Sequence, residues 1–241
     1  MKNNIDKIIS FKNSTDDSVD IYFYGDIVCD SWSAWQNEDQ YPEQIKNLLA
    51  GHENKKLNIY INSCGGSVFG GIAIYNILKR HKGFKTVYVD GVAASIASVI
   101  AFAGDRVVVP SNALLMIHKP WTSSYGNAND FRKEAETLDV LEASIIDVYN
   151  QNLKADVDIE KIKQFVNDEK WFTGAEASEY FDIEVSEARQ IVACADVSKF
   201  KNAPKNLIVK AEHSHEDTTA IQNSMVAKIK SLCISGITKG A

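Results

Sequence analysis

No two cysteines in this chain have the C-x-x-C spacing of zinc ribbons and redox motifs. The 4 cysteines, Cys29, Cys64, Cys194 and Cys233, stand far apart and read as free thiols in a reducing compartment. No apolar run is long enough to span a bilayer; the longest, residues 99–103, is hemmed by Ser95 and Asp105. The opening residues, MKNNIDKIIS, lack the apolar stretch of a secretory signal, so a cytoplasmic protein is expected. Basic charge is not in excess either. The net charge of −6 argues against a general nucleic-acid binder. No G-K-[ST] follows any glycine-rich turn, which excludes a P-loop, and nothing else suggests an ATP site. His213 and His215 form an H-x-H pair without further ligands close by, a pattern better suited to a solvated tail than to a metal. No metal or cofactor is therefore expected. There is no internal repeat.

What is present is an ordinary globular composition, 45% hydrophobic and 24% charged, in a chain long enough to bury a core. Residues 1–18 form a polar segment. VDIYFYGDI (19–27), KLNIYINS (56–63) and FKTVYVDG (84–91) are rich in β-branched and aromatic residues and predict strands. DRVVVP and ALLMIHKP predict two more. Helices are expected over EQIKNLLAG, closed by Gly51, over 68–81, over a buried run from Ser95 to Ala103, and over DIEKIKQFV. A long helix is expected over 127–153, with Phe131, Leu138, Leu141, Ile145, Val148 and Leu153 along one side. Thr173 followed by Glu176 is a capping-box signature. Strands alternating with helices imply an α/β domain with a mostly parallel sheet, whose ligand sites lie beyond the carboxyl ends of the strands. Residues 189–241 read as a polar linker and a short amphipathic helix through Ile221, Met225, Ile229 and Leu232.

Three features fall at strand ends. Ser95 follows GVAA at the start of the buried helix. It reads as a cap, a packing residue, or a nucleophile facing the positive end of a helix dipole. G-x-A-A-S is not the G-x-S-x-G elbow of the α/β-hydrolases. Of the 5 histidines, His118 alone ends an apolar strand, and Pro120 stops that strand just beyond it. Gly65 and Gly66 make a turn after the second strand. They either simply reverse the chain or bring backbone N–H groups close to an oxyanion.

In chain order, YINSCGGSVFGGIAIYNIL, GVAASIASVIAFAGD, NALLMIHKPW and EKWFTGAEASEYFDI resemble the proteolytic subunit of the Clp protease family, over roughly residues 19–187. IHKPWTSSYGNANDFRKEAETLD and EKWFTGAEA look like its phage and prophage branch, the ClpP-like head maturation proteases. The resemblance implies a ClpP/crotonase-like α/β fold over 19–188, with the long helix protruding for ring-on-ring stacking. It implies a serine endopeptidase, with Ser95 as nucleophile and His118 as general base. The backbone N–H groups of Gly66 and Ile96 would form the oxyanion hole, and Gly65 and Ser67 would contact substrate. Aligning EKWFTGAEA through Glu176 and Ala177 puts Glu169 at the acid position, with Asp168 as the alternative.

The resemblance further implies stacked rings of identical subunits, seven-membered rings among the options, acting on protein substrates such as phage scaffold or capsid chains. The expected location is a bacterial host cell or an immature phage head. Cys64 stands where the family often has proline. The N-terminal segment offers no counterpart to the family's ATPase-docking segment, which counts against a Clp-type ATPase partner. Three other readings compete: a non-catalytic ring or scaffold protein, a crotonase-type acyl-CoA enzyme, and a Ser–Lys peptidase using Lys119.

Overall fold

Alternation in SVDIYF puts Val19, Ile21 and Phe23 on one buried face of β1 (Ser18–Phe23). The computed structural model describes residues 17–36, 38–188 and 200–204. Most of the expected N-terminal segment and tail, including Cys194, His213, His215, Cys233 and the helix expected near 218–233, lies outside the described residues.

The order continues through α1 (Pro42–Leu49), β2 (Lys56–Ser63), α2 (Val68–Arg80), β3 (Lys85–Ala94), α3 (Ile96–Ala101), β4 (Arg106–Pro110) and β5 (Leu114–Ile117). Then come α4 (Ala128–Asn150), α5 (Ile159–Asn167), β6 (Lys170–Thr173), α6 (Gly174–Ala177) and β7 (Glu184–Ser186). Strands β1-β2-β3-β4-β7 run parallel in that spatial order, so the α/β expectation with a mostly parallel sheet holds. Tyr22, Tyr60 and Tyr88 stand in register on β1, β2 and β3, and their rings stack at 4.8 and 5.3 Å.

Strand β3 is the hinge of the architecture. Its first half, Thr86–Tyr88, pairs with β4, and its last residues, Val92–Ala94, pair with β5. This fork carries β3 three residues past the strand end expected at Gly91. A bulge between Ile61 and Ser63 lets β2 follow it, and the Asn62 side chain receives the Val92 N–H at 3.3 Å.

Other boundaries moved for local reasons. β1 stops at Phe23 rather than reaching residue 27, because its ladder with β2 ends at the Phe23–Ile61 pair, where β2 begins to bulge. Two short strands had no sequence forecast. β6 exists by pairing antiparallel with β5, and β7 by pairing with β4. The Thr173–Glu176 capping box is present at α6, with each side chain bonded to the other's backbone N–H. In α4 the buried apolar side is confined to Ile145, Val148 and Tyr149 near the C-terminus. Phe131, at the other end, is 51% exposed, so the front of the helix projects from the body.

Candidate active site

Parallel pairing of β3 with β5 sets the central geometry. Ala94 lies opposite Met116, and the ladder continues one step further through Ser95 N–H to the Met116 carbonyl at 2.9 Å. Ser95 and His118 therefore emerge side by side from the carboxyl ends of two adjacent strands. Strand parity adds direction. Leu115 and Ile117 belong to the main core, whereas Leu114 and Met116 face a smaller cluster with Cys64, Val92, Ala94, Trp171 and Phe200. His118 continues the second row. Its Nε2 comes to 2.7 Å from Ser95 Oγ, within hydrogen-bond distance.

The sequence predicts a helix from Ser95 to Ala103, but α3 starts only at Ile96. Ser95 is the residue before α3, at φ 57° and ψ −131°. Strand, sharp turn and helix succeed one another within a few residues, and the strained backbone presents the hydroxyl outward. Such conformations cost about 1–3 kcal/mol and persist only where surrounding contacts enforce them. Here the Ser95 carbonyl accepts from Ser98 Oγ at 2.6 Å, and Ser98 Oγ meets the buried Tyr149 hydroxyl at 2.8 Å. Burial pushes the Tyr149 phenol well above its ordinary range, the Ser98 contact only partly offsetting it, so it stays protonated. The chain from α4 to the Ser95 carbonyl is thus a neutral, enclosed strut.

The glycine turn lies directly against this serine. Gly65 has φ 87°, and a Cβ there would stand 2.8 Å from Ser95 Cβ and 3.1 Å from Ile96 N. Ser63 Oγ holds the turn, donating to the Gly25 carbonyl at 2.6 Å and accepting the Gly65 N–H at 3.1 Å. The bonds bracketing Gly66 run from Ile27 N–H to the Gly65 carbonyl and from Ser67 N–H to the Ile27 carbonyl. In a parallel bridge that pattern turns the N–H of Gly66 itself away from Ile27. Ile96, as the first residue of α3, has an N–H with no intrahelical acceptor.

A cavity of about 360 Å³ opens over these groups, lined by Ser95, His118, Gly66 and Cys64 and walled by Trp121 and Phe200. Gly65 and Ser67 do not line it. Ser67 caps α2 by accepting the Gly70 N–H at 3.2 Å, and its Oγ lies 2.8 Å from Cys29 Sγ. Lys119, the rival base, turns away and pairs with Glu142 on α4 at 3.3 Å. His81 is the C-cap of α2. It is buried, with Nε2 2.7 Å from the Lys55 carbonyl.

The two candidate acids sit on the turn between α5 and β6. Asp168 caps α5 and spends its carboxylate on the Gln164 and Asn167 side-chain amides, which hold it below the ordinary carboxylate range. Glu169 adopts φ 53°. Its Oε1 accepts the Asn202 N–H at 2.6 Å. Ser95 and Glu169 are the two non-glycine residues with positive φ among the described residues.

The Clp protease family model matches residues 13–183. The chain belongs to the Clp protease family. An ATP-dependent Clp protease proteolytic subunit of Chlorella vulgaris is 29% identical over 150 residues, covering 59% of this chain and 73% of that protein. Proteolytic subunit 1 of the ATP-dependent Clp protease of Streptomyces coelicolor is 33% identical over 136 residues, covering 55% of this chain and 61% of its own length. The Clp family is one of serine peptidases that assemble into rings, and Ser95, His118 and Glu169 all fall inside the matched span. Residues 200–204 fall outside it. Among the described residues, no cluster of His, Cys, Asp and Glu is suited to a metal, and no helix is long and apolar enough to cross a membrane.

Sequence reasoning missed Ser63, Ser98, Tyr149, Phe200 and Asn202. Ser63 had a usable signal, since a hydroxyl next to a glycine pair is well placed to bond the turn. The others meet the site only through tertiary packing.

Proposed function

We infer that this chain is a serine endopeptidase whose chemistry is carried by Ser95 and His118. His118 Nε2 takes the hydroxyl proton as Ser95 Oγ bonds to the substrate carbonyl carbon. The oxyanion that forms is stabilised by the N–H groups of Gly66 and Ile96, a pair whose members are typically worth about 10²–10³ each in rate. The C–N bond then breaks, and the His118 proton leaves with the amine. A water, deprotonated by His118, attacks the acyl-enzyme and releases Ser95. Glu169 is the carboxylate that orients His118. Asp168 is the weaker candidate, because its oxygens are already committed to its own helix.

The observation that carries this reading is the 2.7 Å approach of His118 Nε2 to Ser95 Oγ at a strained strand-to-helix turn. The finer assignment is processing of phage scaffold or capsid chains inside stacked rings. It rests on the likeness of IHKPWTSSYGNANDFRKEAETLD and EKWFTGAEA to the head maturation proteases. Its site of action would be a bacterial host cell or an immature phage head.

A fluorophosphonate serine-hydrolase probe tests the chemistry. The wild type should be labelled, and Ser95→Ala and His118→Ala should not. Peptide hydrolysis by Ser95→Ala should fall by about 10⁶. Labelling that survives in Ser95→Ala would remove Ser95 from the mechanism. Cleavage of an unprocessed scaffold or capsid chain by wild type but not Ser95→Ala tests the maturation role.

A further inference from the structure

The cavity is walled in part by a piece of the chain that the family match does not reach. Phe200 is only 8% exposed. Its ring meets His118 edge-on at 5.5 Å and Trp171 at 5.7 Å. Two residues on, Asn202 grips the acid turn twice. Its N–H donates to Glu169 Oε1 at 2.6 Å, and its Nδ2 donates to the Asp168 carbonyl at 2.8 Å. Ala203 packs on the same small cluster.

We propose that residues 200–204 are an intramolecular latch that keeps the peptidase site latent by covering His118 with Phe200 and tying down the turn that carries Glu169. The proposal rests on the reading of Ser95, His118 and Glu169 above. Three physical points support it. One oxygen of the Glu169 carboxylate is tied to a backbone N–H of the latch, and a charge-assisted bond of that length is among the stronger ones available. Phe200 takes cavity space beside the reacting pair, where a substrate side chain would have to enter. The docking is also shallow in sequence. The described piece is five residues long, and short docked segments of this kind can open locally while the rest of the fold stays intact. The Trp171 indole N–H beneath it is buried without an acceptor among the described residues, so the covered patch is not a fully satisfied core. A polypeptide substrate with a large apolar side chain would compete for the place of Phe200. The latch is then a gate that substrate or assembly can displace.

Two variants undo the latch by different means. Phe200→Ala removes the ring, and Asn202→Pro removes both donors to the acid turn. Labelling rates with the fluorophosphonate probe are compared for wild type, both variants and Ser95→Ala, and hydrogen exchange at the Asn202 amide reports docking independently. The expected result is a protected Asn202 amide in wild type, loss of that protection in Phe200→Ala, and labelling about tenfold or more faster in both latch variants, with none in Ser95→Ala. Labelling of the variants at or below the wild-type rate would overturn the latch and leave the Ser95 reading standing. An unprotected Asn202 amide in wild type would overturn it as well. If no chain is labelled although exchange shows Phe200→Ala released, the nucleophile reading fails and the latch as regulator falls with it.

Discussion

Gly65 and Ser95 leave no room for a methyl group between them. An alanine at 65 would have to adopt φ 87° and push its Cβ to 2.8 Å from Ser95 Cβ. The contact sits at the turn that aims the hydroxyl, so Gly65→Ala should slow probe labelling by at least about a hundredfold, in the range seen when reacting groups are displaced by an ångström. A thermal melt of the variant that still shows one cooperative transition would confirm that positioning, not folding, was lost. Ser98 makes a different case. Ser98→Ala strands the buried Tyr149 hydroxyl and leaves the Ser95 carbonyl with the Ser98 backbone N–H alone. Urea titration should show a loss of about 1–3 kcal/mol, the cost of an unsatisfied buried polar group. Tyr149→Phe should cost less, because Ser98 keeps its bond to Ser95. At this scale the sequence was informative where a polar residue ended an apolar run, as at Ser95 and His118. It was silent on Ser98, whose hydroxyl lies inside a wholly buried helix and matters only through a residue on α4.

Elements were legible where their signals were local. The T-x-x-E pattern foretold the capping box of α6, since both of its bonds lie within one turn. Thr173→Ala should lower stability by about 0.5–2 kcal/mol in a denaturant titration. The box also has a pH signature. The Thr173 backbone N–H, against an opposing desolvation effect and with help from the Thr173 hydroxyl and Lys170, holds the Glu176 carboxyl below its ordinary range. A carboxyl depressed in the folded state stabilises above its unfolded value of about 4.3, and that contribution disappears as pH falls through the lower folded value. Glu176→Gln should therefore be less stable than wild type at pH 7 and converge with it near pH 3. A difference unchanged between those pH values would mean that charge plays no part in the cap. β6 and β7 were invisible because they are short, and nothing in KWFT or EVS distinguishes them from loop. Their strand character comes from β5 and β4, far away in sequence. The extension of β3 has the same origin: a strand that changes partner cannot announce it in its own residues.

The whole molecule shows an imbalance that a single subunit does not resolve. The back of α4 is anchored through Ile145, Val148 and Tyr149, while Phe131 and Val140, 66% exposed, lie on its projecting part. A 23-residue helix spans about 35 Å, and isolated apolar side chains on such an arm gain nothing from solvent. The alternation of strands and helices was enough to forecast the α/β class. The 127–153 pattern was enough to forecast a long helix, whereas its protrusion was implied by the resemblance to the Clp family and not by the pattern itself. Ring-on-ring stacking through this arm, as the resemblance to the Clp protease family implies, would supply those side chains with a partner. Sedimentation velocity should then find wild type as a multi-subunit assembly. Val140→Glu and Phe131→Glu, each placing a charge on the contact, should shift it to about half that mass with helical content unchanged, as expected when one of two stacked rings is lost. Full-mass particles in both variants would mean that α4 does not join the rings, and the arm's exposed residues would then face substrate or solvent instead.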